Sequence, residues 1–223
     1  MTWVKICGIT NLEDALTAVE AGADAVGFVF YEKSPRNITP EVAREIVNKL
    51  PADVEKVGVF VDLESGPIRE TVLNAGLTAV QLHGPRSAES VCRALESSAD
   101  CVGVSKIILM VHGNALKDDL LFGVTISNLF AILLDSRSEG ATGGTGTAFD
   151  WNATSGAVQA MSSIFPVIVA GGLTPLNVSE AIRILKPWGV DVTSGVEAKP
   201  GKKDPDKVRA FTKAVRNMNR KMS

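Results

Sequence analysis

Cysteine is scarce in this chain: Cys7, Cys92 and Cys101 are the three in 223 residues, and no C-x-x-C pair occurs. That is too few and too scattered for a disulfide framework, and it lacks the spacing of a structural zinc site. The expected setting is a reducing cytoplasm. No apolar run reaches the length of about 18 residues that would suggest a membrane span; the densest, "SNLFAILLDS", is interrupted by polar residues. The opening "MTWVKICGIT" has no basic segment followed by a long apolar run, so no secretory signal is expected. A basic excess is missing too. The formal net charge is −2, and no cluster of Lys and Arg suggests a nucleic-acid footprint. The locally basic "KAVRNMNRKMS" fits the solvated end of a last helix. Finally, no G-x-G-x-x-G follows the first strand, which removes the dinucleotide fingerprint.

What is present is ordinary for a protein with a sizeable core: 45% hydrophobic and 22% charged residues. The length suits one domain of the larger α/β kind over residues 1–223. Short apolar runs alternate with amphipathic segments throughout. "WVKICGIT", "DAVGFVF", "EKVGVFV", "AVQLHG", "CVGVSKIIL", "FAILLDS", "FPVIVAGG" and "GVDVTSG" read as eight strands. Helices are expected between them. "NLEDALTAVEAGA" has Asn11 as N-cap and Gly22 as stop; "TPEVAREIVNKL" is capped by Thr39, with Pro40 at its first position. The other helices are "PIRETVLNAG", "SAESVCRALESS", a stretch near "WNATSGAVQAM", "TPLNVSEAIRIL" and "DPDKVRAFTKAVRNM". Residues 111–128 have weak periodicity and four Gly or Asn breaks, so a regular fifth helix is not expected there. Near-continuous apolar strands alternating with helices imply a parallel sheet buried on both faces. Eight such units in this length favour a closed (β/α)8 TIM barrel over an open doubly wound sheet.

In such barrels the chemistry sits at the C-terminal ends of the strands. Those ends are Cys7, Phe30, Val61, His83, Asp135, Gly171–Gly172 and Ser194–Gly195, with strand five undefined. The loops after strands seven and eight, "AGGLTP" and "TSGVE", are where this fold commonly holds phosphate. Glycines there let backbone N–H groups approach an anion. Residue alternation puts Cys7 on one face with Lys5, Asp135 with Leu133, and His83 with Gln81. Taken singly, a strand-end thiol is more often core packing, and a strand-end aspartate more often a cap or loop anchor. Together, beside a phosphate site, they offer an acid-capable and a base-capable group at one mouth.

"KICGIT", "SPRNITPEVA", "QLHG", "LLDS" followed by "GGTGTAFDW", "AGGL", and "VDVTSGVE" followed by "KPGKKD" occur in this order from residue 3 to the last helix. In these motifs the chain resembles the phosphoribosylanthranilate isomerases of tryptophan biosynthesis. Two stretches depart from the pattern: "PRSAES" lacks an acidic residue right after "QLHG", and residues 103–128 differ from the usual strand and helix. The resemblance implies an Amadori rearrangement of N-(5-phosphoribosyl)anthranilate to 1-(2-carboxyphenylamino)-1-deoxyribulose 5-phosphate, with no cofactor and no metal. Asp135 would protonate the furanose ring oxygen and Cys7 would take the C2 proton. Arg36 would hold the anthranilate carboxylate, and Gly171, Gly172, Ser194 and Gly195 the phosphate. The implied partner is a small phosphosugar, with neither nucleic acid nor membrane, on a monomer or homodimer.

Two rivals remain at this level. The sister isomerase of histidine biosynthesis runs the same chemistry, but an aspartate normally stands where Cys7 stands, and no half-chain repeat is visible here. A non-catalytic phosphosugar-binding barrel would need neither Cys7 nor Asp135.

Overall fold

A computed structural model of the chain describes residues 1–61, 63–84, 104, 106–112, 129–135 and 151–222. Eight strands form a closed ring: β1 (Trp3–Cys7), β2 (Ala25–Phe30), β3 (Glu55–Val61), β4 (Ala79–His83), β5 (Ile107–His112), β6 (Leu129–Asp135), β7 (Val167–Ala170) and β8 (Gly189–Val192). All neighbours are parallel, and β8 pairs back onto β1 with Lys5 opposite Asp191. Helices Leu12–Glu20, Pro40–Val47, Ser65–Ala75, Trp151–Ser162, Val178–Leu185 and Pro205–Met222 follow six of the strands. This is the (β/α)8 architecture expected from the alternation. Among the described residues no helix is long and apolar enough to cross a membrane.

Local chemistry sets the helix starts. The Asn11 side chain accepts from the Asp14 N–H, and Thr39 accepts from Val42 ahead of Pro40 at the first turn. The first helix ends at Glu20 with Ala21 as its cap, one residue before the expected glycine stop. The helix expected from Thr174 begins only at Val178. Asn177 Oδ1 accepts from the Thr174 N–H at 2.7 Å, and Asn177 Nδ2 donates to the Gly172 carbonyl at 3.0 Å. Those bonds hold residues 174–177 as a turn.

Strand five is also corrected. It was expected from "CVGVSKIIL", residues 101–109, but β5 runs Ile107–His112. Its register with β4 (Val80 opposite Ile107) and with β6 (His112 opposite Asp135) fixes it there. Lys106, just before it, pairs with Glu55 and lies over the Phe130 ring, 5.4 Å from its centroid. Expectations for the fourth helix with Cys92, for Cys101 and for residues 113–128 fall outside the described residues. A short antiparallel hairpin, Glu197–Lys199 with Lys202–Lys203, was not anticipated.

Two apolar layers follow from strand alternation. Outward residues such as Val4, Ile6, Phe28, Phe60 and Val190 join Phe211 in the larger cluster beneath the helices. Burying each such aromatic or aliphatic side chain stabilises the fold by about 1.5–3 kcal/mol. Inward residues Ala25, Val57, Ala79, Ile108, Ala131 and Ile168 form a second cluster. Trp3, Phe130 and Trp188 pack against it. The two tryptophans stack with centroids 5.3 Å apart, and Phe130 meets both edge-on. Trp3 begins β1 and Cys7 ends it, so this aromatic plug lies at the opposite end of the barrel from the thiol.

Candidate active site

The strand ends converge on one cavity of about 370 Å³. Cys7, Arg36, His83, Asp135 and Asp191 line it, with Gly171–Gly172 and Ser194–Gly195 on its wall. Every site residue singled out from the sequence therefore meets in a single space. Cys7 is 5% exposed and Asp135 7% exposed, so both are buried in the cavity wall. His83 lines the cavity as the last residue of β4. His112, to which the sequence assigned no place, ends β5 beside Asp135 in the ladder.

The walls after β7 and β8 press against each other. A Cβ on Gly195 would stand 1.8 Å from the Leu173 carbonyl oxygen, so only glycine permits this approach. Gly171 and Gly172 both have positive φ, +90° and +65°, which turns the chain sharply at the mouth.

Arg36 reaches the cavity from the loop after β2, and its Nε and Nη2 donate to the two Glu197 carboxylate oxygens at 2.8 and 2.7 Å. This fork-to-fork geometry fixes the guanidinium plane. Glu197 is itself held from behind by Lys203 Nζ at 3.0 Å, and Lys203 also donates to the Thr193 carbonyl at 3.1 Å. Burial pushes the Glu197 carboxyl up. Hydrogen bonds from Arg36 and the charge of Lys203 outweigh it and hold the group below its ordinary value. Burial likewise pushes the Lys203 ammonium down, against the pull of Glu197. Glu197 was passed over in the sequence. The signal available was its place in "VDVTSGVE", close behind the phosphate-type glycines.

Lys5 lies beneath the cavity floor, fully buried. Its Nζ donates to Gln81 Oε1 at 2.9 Å and to Asp191 Oδ1 at 3.0 Å. Burial favours the neutral amine. Asp191, and after it Cys7, overcome that and hold the ammonium above its ordinary value. The sequence placed Lys5 on the Cys7 face but offered no partner; β4 and β8 supply two. Among the described residues no group of three or more His, Cys, Asp or Glu side chains is arranged to hold a metal ion.

A thiol, a carboxyl group and a glycine-walled recess at the C-terminal mouth of a closed parallel ring define a (β/α)8-barrel enzyme. Residues 4–214 match the family pattern of N-(5'phosphoribosyl)anthranilate (PRA) isomerase. The N-(5'-phosphoribosyl)anthranilate isomerase of Geotalea uraniireducens is 46% identical over 218 residues, covering 98% of this chain and 100% of the relative. The crystal structure of phosphoribosyl anthranilate isomerase from Thermotoga maritima superposes with a TM-score of 0.81 at 42% identity, over 97% of this chain and 100% of that one. A phosphoribosyl anthranilate isomerase in complex with reduced 1-(o-carboxyphenylamino)-1-deoxyribulose 5-phosphate gives 0.77 at 42% identity over the same shares. The chain belongs to the N-(5'-phosphoribosyl)anthranilate isomerase family, a family of isomerases.

Proposed function

We propose that this protein converts N-(5-phosphoribosyl)anthranilate to 1-(2-carboxyphenylamino)-1-deoxyribulose 5-phosphate in tryptophan biosynthesis, with Asp135 as general acid and Cys7 as general base. The observation that carries this reading is the shared cavity, in which the thiol ending β1 and the carboxyl ending β6 face the space beside the glycine wall. Asp135 gives its proton to the furanose oxygen as the ring C–O bond breaks, leaving a Schiff base between C1 and the anthranilate nitrogen. The Cys7 sulfur takes the C2 proton, and the C2–H electron pair becomes the C1–C2 double bond of an enolamine. Protonation at C1 and loss of the C2 hydroxyl proton give the ketone. The reaction is an internal redistribution that consumes no oxidant or reductant.

Amide groups of 171–173 and 194–196 hold the phosphate, for which close backbone approach suits an anion. Arg36 holds the anthranilate carboxylate, its plane set by Glu197. The chain acts as one domain, since its first and last strands close the same ring.

The test is a continuous assay of anthranilate-conjugate fluorescence, with the substrate generated enzymatically from anthranilate. The expected result is turnover by the wild type and a fall of about 10²–10⁴-fold in Cys7→Ser, the usual contribution of one general base. Absence of turnover by folded wild type overturns the activity. A fully active Cys7→Ser overturns the role of the thiol and leaves the fold standing.

A further inference from the structure

We propose that Lys5 is a positioning residue for Cys7: its buried ammonium, anchored by Asp191 and Gln81, is the counter-charge that steadies the Cys7 thiolate at the cavity floor. The inference rests on the reading of Cys7 as the base.

A lysine with no exposed surface needs a reason to be in a barrel interior. An ammonium has three N–H donors. Gln81 and Asp191 take two of them. Cys7 lies on the same side, because residues two apart on a strand share a face and both side chains lean over the same neighbour. A Cβ on Gly27 would come within 2.7 Å of Cys7 Sγ and 3.1 Å of Lys5 Cε. Gly27 of β2 thus leaves the room in which the thiol and the lysine stem lie together. Electrostatic and hydrogen-bond coupling between Lys5 and Cys7 both favour the charged lysine.

The other cations near the thiol are each paired with a carboxylate: Arg36 and Lys203 both bind Glu197, and Lys203 also feels the Cys7 charge. His83, Asp135 and Asp191 line the same cavity, and of these Asp191 is the anion that holds Lys5. The arrangement suits a base that must gain and lose a proton. A nearby cation favours the thiolate. When the sulfur takes the substrate proton, Lys5 keeps its own and remains paired with Asp191, so no uncompensated buried charge is left behind.

The experiment reads the thiol directly. Alkylation of Cys7 by iodoacetamide is followed against pH in the full chain, with the Cys7 peptide quantified by mass spectrometry so that Cys92 and Cys101 do not contribute. Three proteins are compared: wild type, Lys5→Met/Asp191→Asn, and Lys5→Arg. The double variant avoids leaving a lone buried carboxylate. Removing a nearby opposite charge is worth about 1–3 pH units, and the simultaneous loss of the Asp191 charge offsets part of it, so the alkylation profile of the double variant moves upward, with labelling near neutrality slowed roughly three- to tenfold. Lys5→Arg keeps the cation and leaves the profile near that of the wild type. An upward displacement in the double variant that Lys5→Arg does not share supports the proposal; coincident wild-type and double-variant profiles, or equal displacements in both variants, overturn it. If circular dichroism shows the double variant unfolded, Lys5→Gln/Asp191→Asn decides instead: an upward displacement supports, none overturns. The labelling result stands apart from turnover, so a fully active Cys7→Ser refutes the base assignment without answering for Lys5.

Discussion

Gly195→Ala is a single-methyl test of how the mouth of the barrel is built. The new Cβ would stand 1.8 Å from the Leu173 oxygen, 2.9 Å from the Leu173 carbonyl carbon and 3.2 Å from Thr174 Cα. Non-bonded heavy atoms are comfortable from about 3.5 Å, so one backbone must retreat by roughly 1.5 Å. Neither side yields easily. Leu173 is buried, and the turn after it is tied by Asn177 to Thr174 N–H and to the Gly172 carbonyl. Overpacking of this kind costs about 1–3 kcal/mol, which for a chain of this size lowers Tm by about 2–4 °C per kcal/mol. The wall proposed to cradle phosphate opens at the same time, and a misplacement of about 1 Å costs on the order of 10²-fold in rate. Differential scanning fluorimetry and the fluorescence assay read the two effects. Gly172→Ala is the control. Nothing lies within 4 Å of its Cβ, but φ is +65°, so it loses about 1–2 kcal/mol to left-handed strain without driving two backbones apart. A Gly195→Ala protein with wild-type Tm and kcat/KM refutes the crowding argument. Equal kcat/KM losses in the two variants show that spacing is not what the wall provides.

Three further outcomes follow. Asp135→Asn loses turnover by about 10²–10⁴-fold while still binding a product analogue in calorimetry; loss of that binding shows instead that the carboxyl anchors the ligand. Arg36→Met raises KM by about one to two decades, since a charge-assisted hydrogen bond is worth roughly 1.5–3 kcal/mol, and an unchanged KM releases Arg36 from carboxylate binding. Glu197, held below its ordinary value, contributes stability that is present above the unfolded carboxyl value of about 4.3 and is lost as pH falls through the lower folded value. Urea midpoints between pH 7 and 3 therefore fall less steeply for Glu197→Gln than for wild type, and parallel curves refute the linkage.

The ring of strands was legible because eight apolar runs alternate with capped amphipathic segments, and because Cys7, Asp135, Gly171–Gly172 and Ser194–Gly195 fall at or just past strand ends. Alternation alone put Lys5 on the Cys7 face. Its partners were not legible: Gln81 and Asp191 lie 76 and 186 residues away, and only closure of the ring brings them to it. Strand five slipped because "CVGV" and "IILMVH" are equally strand-like. Backbone pairing with β4 and β6 sets the register of Ile107–His112, and that register is tertiary. Glu197 escaped because an acidic residue in a loop looks solvated until Arg36, from 161 residues earlier, lies against it.

The pairing of β8 with β1 has a consequence for the order in which the protein comes into being. A ribosome adds about 5–20 residues per second, so Lys5 waits roughly 10–40 seconds for the Asp191 carboxylate that compensates its charge. During that interval β1 has one flank open, and its lysine cannot yet be buried. The cavity floor is therefore a late product of synthesis: a nascent chain arrested anywhere before Gly189 can build helices and adjoining strands, but not the surroundings of Cys7.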